Sequence, residues 1–171
     1  TAEEGHITFA TKKSFFYKLK QSKASAVLVD SEKELDMTQV INPRPMLAFA
    51  RLLDYFHPRP RPKSGIHPTV VLGENVILGK RVTLSPLVYL GDNVRIGDDV
   101  VIYPGAVIED NCVLGSHTVI HSNVTIYSAS IIGSHVILHA GVVVGADGFS
   151  YTADEKGRHT KINQIGNVVI K

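Results

Sequence analysis

Eight histidines and a single cysteine are the side chains of this 171-residue chain best suited to proton transfer, metal ligation or nucleophilic attack near neutral pH. Four of the histidines form two pairs with one separation: His117 with His135 and His121 with His139, each eighteen residues apart. Tyr103 stands the same distance before His121. In a chain that coils with eighteen residues to the turn, each pair is in vertical register on one face, about 4.8 Å apart. A zinc site needs three or four ligands aimed at one point, which two such columns do not supply. Exposed turn histidines are the simpler reading, and Tyr103 mildly favours a contact surface. No metal and no cofactor is expected.

The elements that would carry these columns are written in a repeat. From Ile66 an aliphatic residue returns every six positions through Leu72, Leu78, Leu84, Leu90 and Ile96, and on without a slip to Leu138 and Val144. Four residues after each comes a second, smaller inward candidate, from Val70 and Val76 through Ala106, Cys112 and Thr118 to Val142 and Gly148. A period of six is neither helical nor plain strand alternation, so it calls for a repeat architecture. The unit is one short strand and one turn, and three units close one triangular coil. Glycine often follows the large aliphatic, as at Gly73, Gly79 and Gly115. It eases a corner where a Cβ would crowd or where φ must be unusual. An antiparallel sandwich would show strands at 8–12 residues with variable turns and would not hold one register so long. Cys112 falls on an inward position and reads as a small core residue, and a lone cysteine excludes an internal disulfide.

Ahead of the repeat, residues 6–10, 25–30 and 39–41 read as strands, residues 12–23 as a helix with Phe15, Phe16 and Leu19 on one side, and Pro45 as the opening of a second helix. That is a small α/β domain over residues 1–57. Pro58, Pro60 and Pro62 alternate with basic residues in a stiff linker, 58–65, and the β-helix occupies 66–171. Its repeat stops after Gly148, leaves a charged loop over 149–164, and resumes near Ile165. A loop of that length is usually functional or mobile.

Hydrophobic content of 44% with only 7% aromatic suits thin aliphatic coils, and a formal charge of +2 argues against a nucleic-acid binder. No apolar run reaches the length of a membrane span and no signal peptide opens the chain, which implies a soluble cytoplasmic protein. The start at Thr1 without Met and the stop at Lys171 in mid-repeat lead us to expect a fragment.

Asn42-Pro43, the run Leu47-Ala48-Phe49-Ala50-Arg51-Leu52, the hexads, Asp147-Gly148-Phe149, Lys161-Ile162 and Gln164-Ile165-Gly166 together resemble the UDP-3-O-acylglucosamine N-acyltransferases of lipid A synthesis. The resemblance covers nearly the whole chain. It implies a left-handed parallel β-helix, a homotrimer, and transfer of a 3-hydroxyacyl chain from acyl carrier protein to the 2-amino group of a UDP-linked acylglucosamine, with no cofactor. It places uridine binding on a Phe, an Asn and a Tyr spaced by three, which correspond here to Phe9, Lys12 and Phe15. Lys12 lacks the paired donor and acceptor of an amide, and Phe15 has the ring without the hydroxyl, so ring stacking is retained while base reading weakens. Pro45-Met46 lengthen the join before the helix, and Ser150 stands where the family usually has Gly. The resemblance also puts Asp147, Gly148 and Phe149 near the active site and the catalytic His beyond Lys171. The chain is thus expected to hold nucleotide without its base and to be inactive alone.

Two other readings use the same body. A non-catalytic trimeric assembly module would keep the small domain as a partner-binding head. A γ-carbonic-anhydrase-type zinc enzyme would need a His-x-x-x-x-His pair, whereas the spacing here is His117-x-x-x-His121 and His135-x-x-x-His139.

Overall fold

The structure, a computed structural model, describes residues 2–11, 13–58 and 60–171. It divides into two compact units, Thr1–Pro60 and Arg61–Lys171.

In the first unit, β1 (Ile7–Phe9), β2 (Ala26–Val29) and β3 (Thr38–Ile41) form a parallel sheet in the order β1-β2-β3. The central strand is apolar throughout and buried, with Val27, Leu28 and Val29 at 0–1% exposure, as a parallel strand covered on both faces must be. Alternation sends Val27 and Val29 towards α1 (Lys13–Leu19), where Ala10, Leu19 and Phe16 complete a core, and Leu28 towards α2 (Pro45–Phe56). α1 is shorter than the expected 12–23. Leu19 is its last buried residue, and the polar residues after it leave the helix through tight turns, Gln21 N–H to Lys18 O and Ser22 N–H to Leu19 O. α2 starts on Pro45, whose fixed φ suits the first turn, and ends before Pro58.

The second unit is a three-walled parallel β-helix. Its two-residue strands run from β4 (Gly65–Ile66) to β17 (Val143–Val144), and each one up to Thr125–Ile126 pairs in parallel with the strand eighteen residues on. One wall stacks Ile66, Leu84, Ile102, Ile120 and Leu138; the next stacks Leu72, Leu90, Ile108, Ile126 and Val144. The third stacks Leu78, Ile96, Leu114, Ile132 and then Ile170. From Leu84 to Ile132 these side chains are buried, each contributing roughly 1.5–3 kcal/mol. Ile66 and Leu72 remain 51% and 43% exposed at the first coil. The polar members of the small inward series are satisfied on the backbone: Thr118 Oγ1 donates to Gly133 O at 2.8 Å and Ser130 Oγ to Tyr127 O at 2.7 Å. Cys112 is fully buried among them, its Sγ 3.2 Å from Tyr127 O, and burial pushes its thiol above the ordinary range.

The corners separate the two reasons a repeat has for glycine. Left-handed φ falls three residues after the inward aliphatic, on Asn75, Arg81, Leu87, Asn93, Asp99 and their successors, so most corners carry it on a non-glycine residue. The glycines just after the aliphatic answer crowding instead: a Cβ on Gly115 would stand 2.5 Å from both Gly133 C and Ser134 N of the next coil.

Two expectations need correction near the end of the chain. Gly148 is not inward; it is exposed with nothing within 4 Å of a Cβ built there, because the chain leaves the prism after Val144. Val168 packs against the core in its place, and Ile170 of β20 (Val169–Ile170) pairs beside Ile132 where an unbroken count would have put Ser150. Nor is 149–164 a structureless loop. It contains an antiparallel hairpin, β18 (Tyr151–Ala153) with β19 (His159–Lys161). Its turn is closed by Asp154, which accepts from the backbone N–H of Lys156 and of Arg158, both at 2.9 Å, and from Arg158 Nε at 2.8 Å.

Candidate functional site

The ring candidates of the first unit are placed apart. Phe9, at the carboxyl end of β1, is half-buried with its ring centroid 4.2 Å from that of Phe49 on α2, tilted by 34°. Phe15 lies on α1, 46% exposed, with Lys18 Nζ 5.9 Å from its ring centre. Among the described residues no ring pair joins Phe9 to Phe15, and Lys12 lies outside the described residues. Phe9 thus spends part of its ring surface on Phe49, and Phe15 offers the more open ring.

The excursion from the β-helix is anchored at its root by an ion pair between Lys161 Nζ and the Asp147 carboxylate. Asp147 holds the lysine above its ordinary range, chiefly through the hydrogen bond, with desolvation opposing it and the carboxylate charge adding less. Asn167 Nδ2 donates to Ala129 O at 2.8 Å and ties the returning strand to the coil below. Between root and coil lies a hollow of about 220 Å³, lined by Ser128, Ser130, Ala146, Gln164 and Asn167 among others. Phe149 stands outside it, 95% exposed, its ring centroid 5.0 Å from that of Tyr151. Donors and acceptors line this hollow and no histidine does, so it is equipped to hold a polar ligand and has no group to take a proton at neutral pH. The sequence flagged Asp147, Gly148 and Phe149 as site candidates, whereas Gln164 entered only as part of the resemblance and Asn167 was not singled out. Their signal is weak, since partners brought together by a chain reversal have no characteristic spacing.

Both histidine columns are present. His117 and His135 stack with centroids 4.8 Å apart, His121 and His139 at 5.2 Å, and Tyr103 on His121 at 5.1 Å with planes within 3°. The first column extends downward to an ion pair. Arg81 grips Asp99 with two hydrogen bonds, Nε to Oδ1 at 2.7 Å and Nη2 to Oδ2 at 2.5 Å, and His117 Nδ1 lies 3.8 Å from Oδ2. The Arg81 hydrogen bond, ahead of the charges of Arg81, His117 and Arg61, holds the Asp99 carboxyl below its ordinary range. Among the described residues no group of three His, Cys, Asp or Glu side chains is placed to hold a metal ion. Among the described residues no helix is long and apolar enough to cross a membrane.

Sequence comparisons agree with this division of labour. Residues 87–122 and 111–146 match the family model for bacterial transferase hexapeptide (six repeats), and residues 1–55 match that of UDP-3-O-(3-hydroxymyristoyl) glucosamine N-acyltransferase, LpxD. Stacked parallel walls and matching hexapeptides define the class: a left-handed parallel β-helix of the hexapeptide acyltransferases. The UDP-3-O-acylglucosamine N-acyltransferase of Francisella tularensis subsp. holarctica (strain FTNF002-00 / FTA) is 51% identical over 172 aligned residues, covering 99% of this chain and 51% of the relative. That of Coxiella burnetii (strain Dugway 5J108-111) is 40% identical over 171, covering 99% and 50%. Over nearly its whole length the chain is homologous to the UDP-3-O-acylglucosamine N-acyltransferases, and it spans about half the length of the curated relatives it matches. Among solved structures, PerB from Caulobacter crescentus overlaps 82% of the chain and 88% of its own at 16% identity and a TM-score of 0.41, too loose a likeness to add to the assignment.

Proposed function

We propose that this chain is the nucleotide-holding and scaffold portion of an enzyme that moves a 3-hydroxyacyl group from acyl carrier protein to the 2-amino group of UDP-3-O-acylglucosamine. It acts in lipid A biosynthesis, as a cytoplasmic homotrimer. The observation that carries this reading is identity of 51% sustained across the small domain, the hexads and the excursion together. A hexapeptide scaffold alone is shared by many acyltransferases.

Amide formation requires the amine to lose a proton as it attacks the thioester, donors such as backbone N–H groups to stabilise charge on the carbonyl oxygen, and cleavage of the C–S bond with the proton passed to the departing thiolate of acyl carrier protein. No covalent enzyme intermediate is needed. By the family resemblance, Phe15, Phe9 and Lys12 are the candidate uridine contacts of the small domain, and Asp147, Gly148 and Phe149 are the candidates for a place near the reacting groups. The family resemblance puts the base outside residues 1–171, and the hollow beside Asp147, which has no histidine on its lining, supplies no alternative.

The test has two parts. Calorimetry with UDP on this chain is expected to show binding that Phe15→Ala weakens about tenfold, in line with roughly 1–1.5 kcal/mol for a lost ring stack. A full-length version is expected to transfer a 3-hydroxyacyl group from acyl carrier protein, while residues 1–171 alone turn nothing over. Absence of transfer by the full-length version would overturn the reading in favour of an assembly module. Stoichiometric zinc would overturn it in favour of a hydratase.

A further inference from the structure

Asn42-Pro43 and the run from Leu47 to Leu52 carry part of the family resemblance, yet nothing in the proposed chemistry uses them. In the structure they border one feature. α2 lies against β1 and β2, with Phe49 seated on Phe9, and beside it runs a groove of about 670 Å³ over the β3 side of the sheet. Leu28 and Val40 form its floor, and Leu47 and Tyr55 of α2 line its wall. Three parallel strands span roughly 10–15 Å, and helices on one sheet face pack about 8–10 Å apart. One helix therefore leaves a helix-wide gap. The gap is apolar and open: Val40 is 42% exposed, Leu47 46% and Tyr55 78%.

Its charge has one sign. Arg44, at the start of α2, and Arg51, two turns on and about 10 Å away, both border the groove. Among the described residues neither has a carboxylate within 4.0 Å, although Arg81 and Arg158 of the same chain each do. Two arginine forks at one helical repeat match acidic side chains spaced along a second helix.

We propose that this groove is filled by an acidic amphipathic helix of the same polypeptide, drawn from the part of its relatives' length that residues 1–171 do not span. About half of that length lies outside the chain. A tether also fits the size of the gap. A groove one helix wide buries far less than the roughly 800 Å² per partner of a stable protein complex, whereas a tethered segment arrives at millimolar effective concentration.

The experiment uses the full-length polypeptide with a benzophenone side chain at position 47. Photolysis and mass spectrometry are expected to join it to an Asp- and Glu-rich stretch of the same chain outside residues 1–171. Hydrogen exchange in β3 and α2 is expected to be at least tenfold slower in the unsubstituted full-length protein than in residues 1–171. Arg44→Glu with Arg51→Glu should remove that difference and leave exchange in residues 1–171 unchanged. Cross-links to another protein, or equal exchange in the two unsubstituted chains, would overturn the proposal. Neither readout measures acyl transfer, so failure here leaves the proposed reaction standing, and failure of the reaction leaves the groove's occupant standing.

Discussion

At the scale of single residues, the coils are held by contacts that admit no extra atom, and two substitutions separate crowding from mere loss of flexibility. Gly115→Ala drives a Cβ to 2.5 Å from the backbone of the next coil, and overpacking of this kind costs about 1–3 kcal/mol. For a chain of this size that is a Tm lower by roughly 2–10 °C. Gly148→Ala meets open space and has no left-handed φ, so its Tm is expected within about 1–2 °C of the parent. Equal Tm values for the two variants in a thermal scan would show that the coils are not packed as described. Asp99 makes a second residue-scale prediction, on acid stability. Its carboxyl is held below the ordinary range chiefly by the Arg81 hydrogen bond. A depressed folded-state pKa contributes stability that is complete above the unfolded value, about 3.9, and is lost as pH falls through the folded value. Denaturant midpoints of the parent and of Asp99→Asn should therefore differ most between pH 5 and 7 and converge below about pH 3. A difference that grew on acidification would reverse the assigned sign.

At the scale of elements, the hexads are a ruler against which the excursion can be measured. Val168 and Ile170 take the two inward places that follow Val144, so excising residues 148–167 joins Asp147 to Val168 and restores the count of six. Asp147 would then fall on the corner position that is left-handed elsewhere, a conformation Asp tolerates. That deletion is expected to keep the parent's circular dichroism and a Tm within about 5 °C. Excision of 149–167 retains one residue too many, turns Val168 and Ile170 away from the core, and should lower Tm by more than 10 °C, since two aliphatics lose burial worth roughly 1.5–3 kcal/mol each. If both deletions behave alike, the register of β20 is not set by the prism. This is also where legibility in the sequence ended. The walls could be read because each buried aliphatic announces itself at a fixed interval. The excursion hairpin could not, because its strands are exposed on both faces and show no apolar alternation; backbone pairing and the Asp154 turn hold it instead. The end of α1 was misjudged because Lys20 to Lys23 suit a helix by propensity, and only the absence of anything to bury there ends it. At the candidate site the sequence supplied the positions of Phe9 and Phe15 but not that Phe49 already occupies a face of Phe9.

At the scale of the molecule, the walls of the prism are apolar on the outside as well as within. The residue before each inward aliphatic points outward, and on the wall of Leu72 these are Val71, Tyr89 and Val143, exposed at 55%, 41% and 56%, with Val107 and Thr125 half-buried between them. On the wall of Leu78 they include Ile77, Val113, Ile131 and Val169, exposed at 56%, 37%, 40% and 50%. Flat columns of this kind, several coils long and interrupted at Arg95 and Thr125, make apolar patches that a monomer rarely leaves to water. Because the columns are rigid and regular, identical chains can meet through them with closed symmetry and little loss of side-chain freedom. Association of this chain into a particle of three times its 18.6 kDa is therefore expected at micromolar concentration, with sedimentation velocity as the check. Glutamate at the centre of an outer column, Val113→Glu or Ile131→Glu, brings a charge to the contact without touching the dry interior. It should shift the particle towards monomer by at least tenfold in the association constant while leaving the circular dichroism of the coils intact. A chain that sediments as a monomer at 100 µM, before any substitution, would show that these columns face solvent by themselves and would count against the proposed trimer.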